Sequence, residues 1–506
     1  MGTEVELKLA TSKAGLRKAL VLPWLKKMAG DGIRKQHLVS VYFDTRDHVL
    51  RNHGASLRVR RQGEQRLQTI KMNSAQALAR GEWEAQIDGN QPELELVRRT
   101  ALAPILTDKV AQRLRPVFET RVERTVMPLR IGGSEIELAI DEGSIATADE
   151  SVELAEIEIE LKQGERRDMA RLARRLLHEI PATLGVRAKA EWGYALLDGT
   201  INDPASAQTI ALASSTTVAD AFAVIGFSCL RQVAANELAV RQGHPEGIHQ
   251  IRVGLRRLRA ALSLFKDMLQ GKETDRLKGE LEWLTEQFGP ARDADVLLTE
   301  TVAPYVERHP DRGEFEVFAR DLERQRSAGF AKALAAVESD RFRRLLFDSA
   351  LWLIDGEWRN NRDDLKRALR ERPARKFAQQ ELARRTRKVV KRARKLERLD
   401  PMGRHKLRIA VKKLRYGRKF FEALNPGGLR RKARRKTDRA LKDLQSALGT
   451  LNDMQVHLRL AQDLAGANAA SRKAFAIGYL TGREEAGMHD LLGQARGAGK
   501  LLKKQA

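Results

Sequence analysis

Glu4-Val5-Glu6-Leu7-Lys8-Leu9 is the first patterned stretch of the chain, and Glu156-Ile157-Glu158-Ile159-Glu160-Leu161-Lys162 answers it some 150 residues later. Both alternate charged and apolar residues. A strand has a side-chain period of two, so Glu4, Glu6 and Lys8 share one face while Val5, Leu7 and Leu9 share the other. Glu156, Glu158 and Glu160 form a second row of the same kind. A solvated sheet face mixes signs, whereas neighbouring carboxylates repel by up to roughly 1 kcal/mol per close pair. If the sheet closes and these faces turn inward, the acids gain a use as oxygen ligands for a hard divalent ion, Mg²⁺ or Mn²⁺.

The segments between the two rows carry the opposite sign. Arg58 and Arg60 alternate on one predicted strand, Lys71 lies on the next, and Arg80, Arg121 and Arg124 follow. Short alternating runs at 39–43, 57–61, 82–87, 118–125, 135–141 and 155–162 predict strands, joined by turns such as Gly132-Gly133. Helical spacing interrupts them at 13–28 and 168–180. The predicted class for residues 1–200 is therefore α+β with an antiparallel sheet, acidic at the two ends of its sequence and basic between.

Residues 201–217, rich in Ala, Ser and Thr around Asn202-Asp203-Pro204, read as a linker. From 218 to 502 Leu, Ala, Arg, Lys and Glu recur with helical spacing and few breakers, which predicts an all-helical domain. It contains a repeat. His249-x-x-Arg252-x-x-x-Arg256-Arg257-x-Arg259 returns as His405-x-x-Arg408-x-x-x-Lys412-Lys413-x-Arg415, 156 residues later. Arg292-Asp293 is echoed downstream by Asn452-Asp453, so a duplicated helical half is expected, with halves of about 218–370 and 371–502. The two aspartates are expected to cap helices or to pair with the arginines.

Charge follows this division. The chain holds 93 Lys+Arg against 67 Asp+Glu. Residues 1–200 contribute 32 basic and 29 acidic side chains, leaving 61 against 38 for the remainder. The demand for an acidic partner thus comes from the helical domain. Aromatics are only 5% of the chain, which disfavours single-stranded nucleic acid, a ligand that stacks on rings.

Cys229 is the sole cysteine, so no internal disulfide forms and a cytoplasmic setting is expected. Neither a signal peptide nor an apolar run of membrane-spanning length is read from the sequence.

Two families are resembled. Glu4-x-Glu6-x-Lys8, Tyr42-Phe43-Asp44-Thr45, Leu57-Arg58-x-Arg60, Thr69-Ile70-Lys71, Asp141-x-Gly143, Glu156-x-Glu158-x-Glu160 and Lys189-x-Glu191 occur in the order of the CYTH, or triphosphate tunnel metalloenzyme, family. The resemblance implies an eight-stranded antiparallel tunnel and metal-dependent attack on a triphosphate. By it, Glu4, Glu6, Glu156, Glu158 and Glu160 hold the metal. Glu4, Glu6 and Lys8 form the catalytic group, and Arg58, Arg60, Lys71, Arg80, Arg121, Arg124 and Lys189 grip the substrate. Inorganic triphosphate is the expected substrate; thiamine triphosphate or ATP would need a stacking ring, for which Trp24, Trp83 and Trp192 are available.

In the helical domain His249, Arg252, Arg256 and Arg259 form one stripe beside an apolar one, and His405, Arg408, Lys412 and Arg415 repeat it. Like charges at these spacings cost a helix roughly 0.2–0.5 kcal/mol per pair, which a bound anion would offset. The paired His-x-x-Arg helices resemble the CHAD family, which implies binding of inorganic polyphosphate by these residues together with Arg257 and Lys413. A triphosphatase tunnel joined to a polyphosphate holder is the expected whole, with association to polyphosphate granules. The rival expectations are a non-catalytic polyphosphate scaffold and a nucleic-acid binder, but both leave the carboxylate rows idle.

Overall fold

The computed structural model of the 506-residue chain describes residues 5–76, 79–309, 313–425, 431–465 and 471–505. Two compact units divide it. One comprises residues 1–203 with 343–360, the other residues 204–342 with 361–506.

The first unit is built on one antiparallel sheet of nine strands: β1 (Val5–Thr11), β2 (Arg34–Asp44), β3 (Ala55–Gln62), β4 (Gln65–Gln76), β5 (Ala79–Ile87), β6 (Arg115–Ile131), β7 (Ser134–Ala146), β8 (Ser151–Gln163) and β9 (Ala182–Gly185). Their order is β5-β4-β3-β2-β6-β7-β8-β1-β9. The expected count of eight becomes nine because the four residues of β9 pair along β1 at the sheet's edge. Antiparallel neighbours are mostly consecutive in sequence, as hairpin connections dictate. Of the three exceptions, one matters most: β1 leaves its sequence neighbours and pairs with β8, which places the first acidic row beside the last.

Helices pack against the sheet. The expected helix at 13–28 is two, α1 (Lys13–Val21) and α2 (Pro23–Ala29), because Pro23 cannot donate into a continuing helix but suits the first turn of a new one. Helix α3 (Arg166–Glu179) buries Met169, Leu172, Ala173 and Leu176. Helix α4 (Lys189–Leu197) carries Tyr194, packed edge-on against Phe118, itself stacked on Tyr42. At Gly143 on β7 an added Cβ would stand 1.9 Å from the Arg121 carbonyl oxygen, so only glycine fits there.

The second unit is helical. Four helices show the duplication: α5 (Val218–Ala234) and α6 (Pro245–Leu264) in the first half, α8 (Ala374–Ala393) and α9 (Pro401–Phe420) in the second, with α7 (Gly289–Val296) between the pairs and α10 (Arg431–Ala465) after them. α8 and α9 begin 156 residues after α5 and α6, the offset of the motif repeat. Phe265, Phe377 and Phe421 share the core where the halves meet. The stretch Val218–Arg241 is, against the sequence expectation, long and apolar enough to cross a membrane by length and composition, but 67% of its most apolar 18-residue window is buried.

Candidate functional site

Strands β1 to β8 all send side chains into one cavity of about 620 Å³. Register sorts that lining by sign. Pairing of β1 with β8 sets Glu6 opposite Glu160 and Lys8 opposite Glu158. Pairing of β7 with β8 sets Glu137 opposite Glu160 and Asp141 opposite Glu156. Three adjacent strands therefore build one acidic wall, while Arg58 and Arg60 on β3 and Lys71 on β4 build a basic one.

Three cations lace the acidic wall. Lys8 bonds Glu158 and lies 3.0 Å from Glu6. Lys189, the first residue of α4, bonds Glu156 and reaches Asp141 at 2.7 Å and Glu158 at 3.0 Å. Arg124 holds Asp141 through Nε and Nη2 at 2.7 and 2.6 Å, and Glu158 at 2.6 Å. Burial alone would lower the lysine pKa values and raise the carboxylate ones, so the resulting directions show which effect wins. Lys8 and Lys189 are raised, because the surrounding carboxylates outweigh burial. Glu158 is held well below the usual range by Lys189, Lys8 and Arg124 despite its burial. Glu156 goes the other way: burial dominates and raises it.

Asp141, Glu156 and Glu158 offer carboxylate oxygens that lie within 4.8 Å of one another. All-oxygen, anionic donors suit Mg²⁺ or Mn²⁺ rather than a soft metal. The donor chemistry thus fits a hard divalent ion on this wall, where Glu6 and Glu160 add further oxygens.

The basic wall differs in one respect that matters. Lys71 is neutralised by Glu82 at 2.9 Å. Arg58, only 9% exposed, has a single weak partner, the Tyr42 hydroxyl at 3.4 Å, and its Nε has none. Arg60 donates to Ser40 Oγ at 3.3 Å. Neither guanidinium meets a carboxylate among the described residues. Burial, with Arg58 and Arg124 nearby, pushes Arg60 down to about 10. A buried unpaired ion costs several kcal/mol, a cost that an incoming anion would offset.

The sequence-expected residues fare unequally. Glu6, Lys8, Arg58, Arg60, Lys71, Arg124, Glu158, Glu160 and Lys189 line the cavity together, and Glu156 lies buried behind Lys189. Glu4 and the side chain of Arg80 lie outside the described residues. Arg121 is a correction: three residues from Arg124 on β6, it projects from the opposite face, 67% exposed, against Glu119 at 2.5 Å. Sequence reasoning assigned no role to Asp141, Glu137, Glu82, Glu84 or Tyr42. For Asp141 the available signal was its place two residues before the obligatory Gly143.

In the helical unit α6 and α9 bring both stripes to one basic cluster. Arg252 lies 3.4 Å from Asp293 and Arg408 lies 3.4 Å from Asp453, a matched pair of contacts in the two halves. The aspartates lie within helices, so they pair with arginines and cap nothing. His405 Nδ1 is 2.7 Å from Asn452 Oδ1, whereas His249 faces Arg292 at the position Asn452 holds in the repeat; burial and Arg292 lower its pKa. The Nε atoms of Arg252, Arg256 and Arg408 are buried without partners. Burial, with Arg408 and Arg256 beside it, pushes Lys412 down to about 7. Two residues leave the stripe, because each follows its neighbour by 100° around the helix. Arg257 is 4% exposed and donates to Gln232 at 2.6 Å and Ser228 at 3.1 Å. Lys413 turns into a separate hollow. Arg259 pairs with Glu282 at 3.1 Å, and Arg415 is half-buried.

Fold and sites define a two-part protein: a charged β-lined cavity followed by a duplicated basic helical unit. The family model for the CYTH domain matches residues 2–188 and that for the CHAD domain residues 225–462. The CHAD domain from the plant Ricinus communis is 30% identical, with 59% of this chain and 96% of that one covered and a TM-score of 0.50. An inorganic triphosphatase of Haemophilus influenzae is 29% identical over 199 residues, 38% of this chain; the chain spans about half, 54%, of that relative's length. A solved inorganic triphosphatase is 20% identical over 32% of this chain and 74% of its own, with a TM-score of 0.14. The chain belongs to the family in which a CYTH domain is followed by a CHAD domain.

Proposed function

We propose that the cavity hydrolyses inorganic triphosphate with a divalent metal ion, and that the helical unit binds inorganic polyphosphate. The observation that carries the first part is the pair of buried Arg58 and half-buried Arg60, which meet no carboxylate among the described residues and face an acidic wall across one cavity. Arg58 and Arg60, with Lys71 and Arg124, bind the phosphate oxygens; phosphoryl transfer asks for such positioning and charge neutralisation more than for a protein nucleophile. A metal on Asp141, Glu158 and the neighbouring carboxylates would supply charge neutralisation on the phosphates. Lys8 and Lys189 hold that wall in place and keep Glu158 ionised. A wall carboxylate accepts the proton of the water that attacks the terminal phosphorus, and pyrophosphate departs as the bridging P–O bond breaks.

An inorganic substrate is favoured over an organic one by the rings. Tyr42 is the single aromatic among the described lining residues, and its ring is buried under Phe118. Trp24 lies under Arg175, Trp192 under Arg187, and Trp83 packs in a core cluster, none of them in the lining. The test is phosphate release from tripolyphosphate, ATP and thiamine triphosphate, with and without Mg²⁺ or Mn²⁺. Metal-dependent release from tripolyphosphate above the other two is expected; no metal-dependent release from any of them refutes the reading.

A further inference from the structure

The two halves of the helical unit differ on the side of α9 that faces away from the stripe. A hollow of about 270 Å³ opens there between α8, α9 and the end of α6, lined by Arg384, Arg385, Lys388, Arg392, Lys406 and Lys413 among others. Removing the repeat offset of 156 gives the counterparts Ser228, Cys229, Gln232, Asn236, Gln250 and Arg257. One cation in the first half thus corresponds to six in the second.

Packing differs with composition. In the first half Cys229, Gln232, Asn236 and Arg257 are at most 4% exposed, and Arg257 fills the space through its bonds to Gln232 and Ser228. Gly254 permits that approach, since a Cβ there would stand 2.8 Å from Val233 Cγ2. Its counterpart is Ala410, whose methyl lines the hollow. What duplication left as a packed contact in one half is an open, charged concavity in the other.

Little within the hollow neutralises it. Glu381 bonds Arg384 and Arg385, and Asp267 lies 3.9 Å from Lys266. Lys388, Lys406 and Lys413 meet no carboxylate among the described residues, and Arg392 donates only to the Lys406 carbonyl at 3.5 Å. Burial, with Arg385, Arg259 and Lys388 nearby, lowers the pKa of Lys413. Arg259 and Ser263 continue on α6 at the spacing that carries Arg252 and Arg256, and Lys266 follows in the turn just after the helix, so the stripe of α6 leads to the edge of the hollow.

We propose that this hollow is a second phosphate subsite, confined to the second half, which takes the continuation of a polyphosphate chain seated on the α6 stripe. The proposal rests on the polyphosphate reading of the helical unit. Convergent ammonium and guanidinium donors suit phosphate oxygens. The lining holds no ring on which a base would stack, and its apolar part is Val389, Ile409 and Ala410.

Lys388 and Lys406 are exposed, so Lys388→Gln with Lys406→Gln leaves the core untouched. Filter binding of the full chain is measured over a salt series with long-chain polyphosphate, with tripolyphosphate and with single-stranded DNA of equal charge to the long chain. Long-chain polyphosphate should bind about fivefold more weakly to the double variant, as expected for two exposed ion pairs. The slope of log affinity against log salt should become shallower by about 0.7 for each ammonium group removed. Tripolyphosphate binding and hydrolysis should stay as in the parent. Unchanged long-chain affinity and slope overturn the subsite, as does an equal loss for DNA. Arg252→Ala with Arg408→Ala separates the two levels: loss in that variant alone removes the subsite and keeps the stripe, while no loss in either variant removes the polyphosphate reading itself.

Discussion

The two units accumulate cations by opposite means. In the sheet unit nearly every cation of the cavity is matched: Lys8, Lys189 and Arg124 by Glu158 and its neighbours, Lys71 by Glu82, Lys162 by Glu160 at 2.6 Å. Arg58 and Arg60 on β3, with the more exposed Arg34 on β2, are the unmatched remainder among the described lining residues, and alternation in register puts the β3 pair opposite the acids. Beyond residue 200, most of it in the helical unit, the balance is 61 basic against 38 acidic side chains, and basic residues gather on α6, α8 and α9. The lesson is one of selectivity. On the proposed function, a matched cavity would hold its ligand through a few unmatched charges and a metal wall, which suits a short, defined anion. An unmatched surface attracts any long polyanion and grades it by length and salt.

Chelation gives the largest expected contrast. With EDTA in excess, phosphate release from tripolyphosphate should fall to background while long-chain polyphosphate still binds within about twofold, since the helical cluster is basic and its Asp293 and Asp453 are each held by an arginine. Next in size is Arg58→Ala. Loss of one unpaired buried guanidinium aimed at the substrate should lower kcat/KM for tripolyphosphate by about 10²-fold or more, comparable to removal of an oxyanion donor. Steady-state kinetics checks it, and Arg121→Ala, on the outer face, should change kcat/KM by less than about twofold. If the two variants fall equally, the assignment of faces on β6 is wrong.

Arg257→Ala tests the boundary between stripe and core. Without the guanidinium, Gln232 and Ser228 lose buried partners, at a cost of about 1–3 kcal/mol. Thermal unfolding should show a lower Tm, while polyphosphate affinity stays near that of the parent. A variant that keeps its Tm but loses affinity would return Arg257 to the ligand-binding set.

These outcomes bear on what the sequence could disclose. Period two put Glu6, Lys8, Glu158 and Glu160 on inward faces without any coordinates, and the offset of 156 matched the two stripes residue by residue. Closure of the sheet also predicts the first strand beside the last acidic one, and β1 does pair with β8. The register was beyond the sequence: nothing in the alternation sets Lys8 against Glu158 or Asp141 against Glu156. Arg121 shows the limit from the other side: read as one of a run of bases, it stands an odd number of residues from Arg124 and so on the other face. The misplacement of Arg257 and Lys413 has the same root, because adjacent cations on a helix lie 100° apart and one of the two must leave a narrow stripe.

The smallest effect expected is on pH, and it belongs to the helical unit alone. Lys412 is pushed down to about 7 by burial first and then by Arg408 and Arg256. In the free protein it is mostly neutral at pH 8 and mostly charged at pH 6. A polyanion favours the charged form, so binding at pH 8 must take up a proton that at pH 6 is already in place. Affinity for long-chain polyphosphate should therefore fall as pH rises from 6 to 8, by at most about tenfold for one group displaced by one unit from its pKa. His249, lowered by burial and Arg292, adds to the effect only toward the acid end of that range. Lys412→Arg, which stays charged throughout, should flatten the profile, and proton uptake measured by calorimetry in two buffers should vanish with it. A profile equally steep in the arginine variant would assign the pH dependence to the phosphate chain or to the histidines, and would leave Lys412 a fixed charge.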